Sequence, residues 1–240
     1  MKHFFDLKQE QLLMDFLKSY NCDLSENQLS LLFQYAECVI KGNTITNLIS
    51  KNDAGKFCSR HLTDSLIPVC LLKNLFDDHS GLRWADMGSG GGCPVFPLAI
   101  ALPHIQFYAV EPRNKRVQFL QETKNILKLD NLEVVGKRFE TSGLNNLNFI
   151  SCRALSTFEN DWERAKFALK KNGTFLTLKS FETISHLEKD SSICINKYSL
   201  PKLKISAGTL SIINILSMNR NIIKIYTIDT TNIPKIEIVK

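Results

Sequence analysis

None of the seven cysteines, at positions 22, 38, 58, 70, 93, 152 and 194, stands in a CxxC pair or in a cysteine–histidine cluster with zinc spacing. Their odd number and single spacing exclude a disulfide framework and a zinc ribbon. No metal site is expected, and the cysteines read as free thiols of a reducing compartment. The first residues, MKHFFDLKQEQ, lack the uninterrupted apolar stretch of a signal peptide. No run approaches the roughly 20 apolar residues that span a bilayer. A cytoplasmic location with no membrane partner is therefore expected. Internal repeats and low-complexity linkers are also missing, as is any heptad pattern that would demand a dimer, so a monomer is expected.

What remains is an ordinary globular composition of 240 residues, 44% hydrophobic and 22% charged, enough for a full core. The net charge of +6 is a mild basic excess. Eight Lys/Arg against four Asp/Glu in residues 188–240 place +4 of it near the C-terminus. Lysines that keep exposed strands apart and an RNA-facing surface explain this equally well.

Residues 8–42 read as helices. Ser25 and Gln28 form a capping box, and Leu29, Leu32, Phe33, Ala36, Val39 and Ile40 share one face. Gly42 is placed to end the second helix, and SRHLTDSLIPVCLLKNLF reads as further helix. Residues 1–80 are thus a helical extension and 81–240 a larger domain. In that domain LRWADMG, IQFYAVEP, LEVVGKRFE, LNFISCRAL, TFLTLKS, LSIINILSM and IIKIYTID read as seven strands. The segment 94–102, RNKRVQFLQETKNILKL (apolar side Val117, Leu120, Ile126, Leu127) and DWERAKFALKKNG, closed by Gly173, read as the intervening helices. Strands alternating with helices give an α/β fold with a mostly parallel sheet.

The stretch DMGSGGGCP joins the first strand to the first of these helices. It lacks the Lys-Ser/Thr of a phosphate-binding Walker loop, and Cys93 occupies the sixth position of a dinucleotide fingerprint. Pro94 and Pro97 remove N–H donors from the helix start, and Asp86 adds a negative charge where a diphosphate would lie. The same residues suit a ligand with an adenosine, a cationic centre and an amino acid. Gly88-Ser89-Gly90 and Gly92 allow close backbone approach, and Asp86 attracts an ammonium or sulfonium. Glu111, 23 residues after Gly88, stands where an acid accepts ribose hydroxyls. That combination describes S-adenosylmethionine.

DMGSGGGCPVFPLAIALP resembles the glycine-loop signature of the RsmG (GidB) family of bacterial small-subunit ribosomal RNA methyltransferases. TNLIS with RHLTDSL, VEPRNKRVQFL, GKRFE, SCRAL and LTLKS are similar to further family motifs, six in order over residues 47–180. The resemblance implies a Rossmann-like class I methyltransferase fold and transfer from S-adenosylmethionine to N7 of a guanine in 16S ribosomal RNA. The partner it implies is the small ribosomal subunit or an assembly intermediate. It implies that Arg153 and Lys179, at the ends of the fourth and fifth strands, face RNA phosphates or the guanine, with Arg153 also near the cofactor. Arg60, His61 and Asp64 form a polar cluster that closes the lead helices over the pocket. Arg138, Phe139 and Glu140 match the third-strand motif, where Arg138 reaches either the cofactor carboxylate or RNA. Cys93 stands in place of the family's Phe, Val95 in place of its Gly, and Phe139 in place of a small residue. Two further readings stay open: a cofactor-binding RNA-association protein with weakened catalysis, and a small-molecule methyltransferase.

Overall fold

The computed structural model describes residues 7–71, 81–153, 155–179, 193–199, 209–214 and 223–229. Two units, Met1–Ser142 and Gly143–Lys240, divide the chain. Within the first unit, helix α1 spans Leu7–Ser19 and buries Leu13, Phe16 and Leu17, the three- and four-residue spacing of one helical face. Helix α2, Glu26–Gly42, starts at the expected capping box: Ser25 Oγ accepts from Gln28 N at 3.2 Å, and Gln28 Oε1 accepts from Ser25 N at 2.9 Å. Leu32, Ala36 and Val39 of its expected face are buried, together with Tyr35. A 3₁₀ turn, Lys51–Lys56, and a π turn, Phe57–Leu62, lead into α3, Thr63–Leu71. The expected single helix over this stretch is therefore broken at its start. Its last residues, 72–76, lie outside the described residues.

Strands β1 (Arg83–Met87), β2 (Gln106–Val110) and β3 (Leu132–Val135) pair in parallel in the order β3-β2-β1. Trp84 to Met87 are all buried, as befits a parallel strand covered on both faces. Helix α4, Val95–Ala101, has every residue buried, and α5, Asn114–Leu127, buries Leu120, Thr123 and Leu127. Ile126, expected on the apolar side of α5, is instead 60% exposed, because Thr123 takes that side of the turn. β3 ends at Val135, so Arg138, Phe139 and Glu140 belong to a turn and a 3₁₀ segment, Phe139–Thr141, and not to the strand.

In the second unit, β4 (Leu147–Arg153) pairs in parallel with β5 (Leu169–Lys179). Helix α6 lies between them in sequence, Phe158–Ala165, with Thr157 capping Asn160 N. The helix expected to run on to Gly173 stops eight residues earlier. Leu147 N donates to Ala168 O at 2.9 Å, residues 166–168 form a turn, and pairing of Leu169 with Leu147 of β4 starts the strand at the helix-prone LKK. β6 (Ile193–Ser199), β7 (Thr209–Asn214) and β8 (Ile223–Asp229) follow. β7 is antiparallel to β5 and β8, and β6 is parallel to β8. β6 is the strand that the seven-strand reading omitted.

Candidate active site

The turn after β1 is built from backbone bonds and left-handed glycines. Gly88 N and Ser89 N both donate to Val110 O at the end of β2, at 2.9 and 3.0 Å, and Ser89 Oγ donates to Asp86 O at 3.0 Å. Gly88, Gly90 and Gly92 have φ of 75°, 56° and 95°, a region costly for residues with a Cβ. Gly92 O then accepts from Phe96 N at 2.8 Å and launches α4. Asp86 is buried on β1 beneath this turn. Val95, which stands in place of the family's Gly, is the first residue of α4 and is fully buried, so its branched side chain lies in the core.

Glu111 ties the turn to β2. One carboxylate oxygen accepts from Gly90 N at 2.9 Å and the other from Arg113 N at 3.0 Å, while the side chain is buried. Each oxygen keeps a further lone pair for a ligand hydroxyl. Arg116, which sequence reasoning missed, stands 3.9 Å from the same carboxylate and donates through Nη2 to Asn47 O at 3.0 Å. The segment after α2 thereby lies along the turn. Asn43 Oδ1 accepts from Leu48 N and Ile49 N, and a Cβ on Gly91 would meet Leu48 Cβ at 3.2 Å.

The lead-helix cluster centres on Asp53, a residue outside the expected Arg60, His61 and Asp64 set. Arg60 Nη1 donates to Asp53 Oδ1 at 2.7 Å, Ser50 Oγ donates to Oδ2 at 2.7 Å, and His61 Nε2 lies 3.6 Å from Oδ2. The Ser50 hydroxyl first, then the Arg60 and His61 charges, hold the Asp53 carboxyl below its ordinary value. His61 also stacks on Phe57, and Asp64 is buried at the start of α3. Of the three residues expected together, Arg60 and His61 thus converge on Asp53. The signal that could have found it is the helical-turn spacing Asp53–Phe57–Arg60/His61, seven or eight residues apart.

Past β3, Arg138 and Glu140 are exposed and Phe139 is buried. In the second unit, Arg153 ends β4 half-buried, in register with Leu178 of β5, and Lys179 is the last residue of β5. A buried acid, Asp161, organises the chain after β4. Its Oδ2 accepts from Ser156 N at 3.3 Å and from Cys152 Sγ at 3.5 Å.

A glycine turn between a first parallel strand and a buried helix, tied to an acid at the end of the second strand, defines an α/β protein of the cofactor-dependent methyltransferase class. The profile described as "GidB: rRNA small subunit methyltransferase G" matches residues 28–210. The chain belongs to that family. It is 39% identical over 158 residues to the Ribosomal RNA small subunit methyltransferase G of Ectopseudomonas mendocina, covering 65% of this chain and 71% of that protein. To the protein of the same name from Aster yellows witches'-broom phytoplasma it is 32% identical over 173 residues, covering 71% and 80%.

Proposed function

We propose that this chain transfers a methyl group from S-adenosylmethionine to N7 of one guanine in 16S ribosomal RNA, within the small subunit or an assembly intermediate. The observation that carries the reading is the Gly90–Glu111 bond, which fixes a left-handed glycine turn against a buried carboxylate. The donor set fits the cofactor. A Cβ on Gly90 would find only Arg116 Nη1 at 3.7 Å and Gly88 O at 3.8 Å, so the backbone presents an open face there. Glu111 would accept the ribose hydroxyls, and Asp86, Gly88, Ser89, Gly90 and Gly92 are the residues that would hold the remainder of the cofactor. The cofactor supplies an electrophilic methyl group on a sulfonium.

Guanine N7 carries an in-plane lone pair and loses no proton when methylated, so no general base is needed. The chain's residues act by orientation. Arg153 and Lys179 are assigned to RNA contact from their positions at the strand ends, where open α/β sheets take their ligands. Arg60, His61 and Asp64 position the lead helices, and Arg138 with Phe139 and Glu140 borders the site after β3. Residues 1–80 serve as the helical extension to the methyltransferase domain 81–240, and the protein works as a cytoplasmic monomer. No helix among the described residues is long and apolar enough to cross a membrane.

Glu111→Gln tests this assignment. An amide offers one acceptor oxygen in place of two, so either Gly90 N–H or Arg113 N–H faces a donor, at about 1–3 kcal/mol. Calorimetry should show weaker S-adenosylmethionine binding, with the pH–rate profile of residual transfer unchanged in shape. An acidic limb that disappears with Glu111 or Asp86 would assign proton transfer to a carboxylate and contradict the mechanism.

A further inference from the structure

Tyr35 plays no part in the reading above, yet it reaches the glycine turn. It is fully buried in α2, its ring parallel to Phe96 at a centroid distance of 5.1 Å and edge-on to Phe57 at 5.9 Å. These two rings aim the phenol. Its hydroxyl donates to Gly91 O at 2.9 Å and lies 3.2 Å from Cys93 Sγ. A phenol has one proton, so with that proton on Gly91 the Cys93 thiol is the donor to the phenol oxygen. A Cβ on Gly92 would sit 3.0 Å from the same oxygen. One hydroxyl therefore meets three consecutive residues of the turn.

The consequence lies in how the turn is clamped. Gly90 and Gly91 form a flexible pair whose N-terminal N–H is held by Glu111 and whose C-terminal carbonyl is held by Tyr35. Glycine has the largest conformational freedom to lose, so each clamp lowers the ordering cost that a ligand would otherwise meet. Cys93, which departs from the family's Phe, supplies the second hydrogen bond to the phenol oxygen.

We propose that Tyr35 is a positioning residue for cofactor binding: its hydroxyl, seated by Phe96 and joined by the Cys93 thiol, holds Gly91 so that the turn is preformed. The inference rests on reading that turn as the S-adenosylmethionine site. Tyr35 acts through Gly91 and does not touch the cofactor.

Tyr35→Phe keeps both ring contacts and removes only the hydroxyl. Calorimetry with S-adenosylmethionine and with S-adenosylhomocysteine should show Kd raised about fivefold to tenfold, the scale of one lost hydrogen bond to a buried group. The KM for small subunits and kcat at saturating cofactor should stay at the wild-type values. Cys93→Ala alone should raise Kd about twofold, and should add nothing in the Tyr35→Phe background because its acceptor is gone. If wild type binds cofactor and Tyr35→Phe binds equally well, the inference fails while the site assignment stands. A lower unfolding midpoint with unchanged Kd also overturns it, since that is what a purely structural tyrosine gives. If wild type itself does not bind, the site assignment fails and this inference with it. Should Tyr35→Phe not fold, Cys93→Ala decides by the same readout, and an unchanged Kd there overturns the proposal.

Discussion

Gly90 and Gly92 share a left-handed backbone but differ in what an alanine side chain would meet. At Gly90 the nearest atoms lie at 3.7 and 3.8 Å, ordinary contact distances. Gly90→Ala therefore carries only the conformational cost of a left-handed residue, about 1–2 kcal/mol. At Gly92 a Cβ would fall 2.5 Å from Phe96 Cδ2, an atom of a rigid buried ring, and 3.0 Å from the Tyr35 hydroxyl. Gly92→Ala adds overpacking to strain and should cost about 3 kcal/mol or more. Urea unfolding of the two variants should rank them in that order. Equal losses would mean that the packing of Phe96 and Tyr35 against the turn is not as described.

At the scale of elements, α2 is fastened to the far end of α4 through Gln28 and to the glycine turn through Tyr35. Gln28 completes the capping box, and its Nε2 also donates to Ile100 O at 2.9 Å and Ala101 O at 3.1 Å at the end of α4. Ser25→Ala removes one cap bond and should cost about 1 kcal/mol. Gln28→Ala removes the reciprocal bond and orphans two helix-end carbonyls, so it should cost about 2 kcal/mol. Unfolding in urea measures both, and a larger loss for Ser25→Ala would contradict the double role. Asp53 similarly joins the 3₁₀ turn to the π turn. Its folded carboxyl is held below the ordinary value of 3.8, so its stabilising contribution is present above that pH. The contribution is lost as pH falls through the lowered folded value, because the unfolded chain then binds the extra proton more readily. Asp53→Asn should flatten the fall in stability below about pH 4 while leaving other acid-sensitive groups in place. An unchanged slope would remove Asp53 from the acid response.

For the molecule as a whole, periodicity and small-residue punctuation carried most of the architecture. The capping box at Ser25, the apolar strands and the turn after β1 stand where local patterns put them. The errors fall where tertiary pairing outweighs local preference. KFALKK has helical composition, but its first three residues form a turn and its last three open β5, where Leu169 pairs with Leu147 of β4. Ile126 has the right spacing for burial yet faces out, because α5 buries Thr123 beside Leu120 and Leu127. The glycine turn and its acid were legible because left-handed backbone and a strand-end carboxylate leave marks in sequence. Tyr35 and Arg116 were not, since each works through a partner 56 or 69 residues away. A lone tyrosine on an apolar helix face reads as core until its hydroxyl is seen on Gly91.

The central claim is methyl transfer to one ribosomal guanine, and its most direct test is incorporation of labelled methyl from S-adenosylmethionine into small subunits that lack the modification, with the label mapped on the RNA. Incorporation at a single guanine, on N7, is the predicted result. No incorporation by a protein that binds the cofactor, or label on an exocyclic amine or a ribose hydroxyl, would contradict the account.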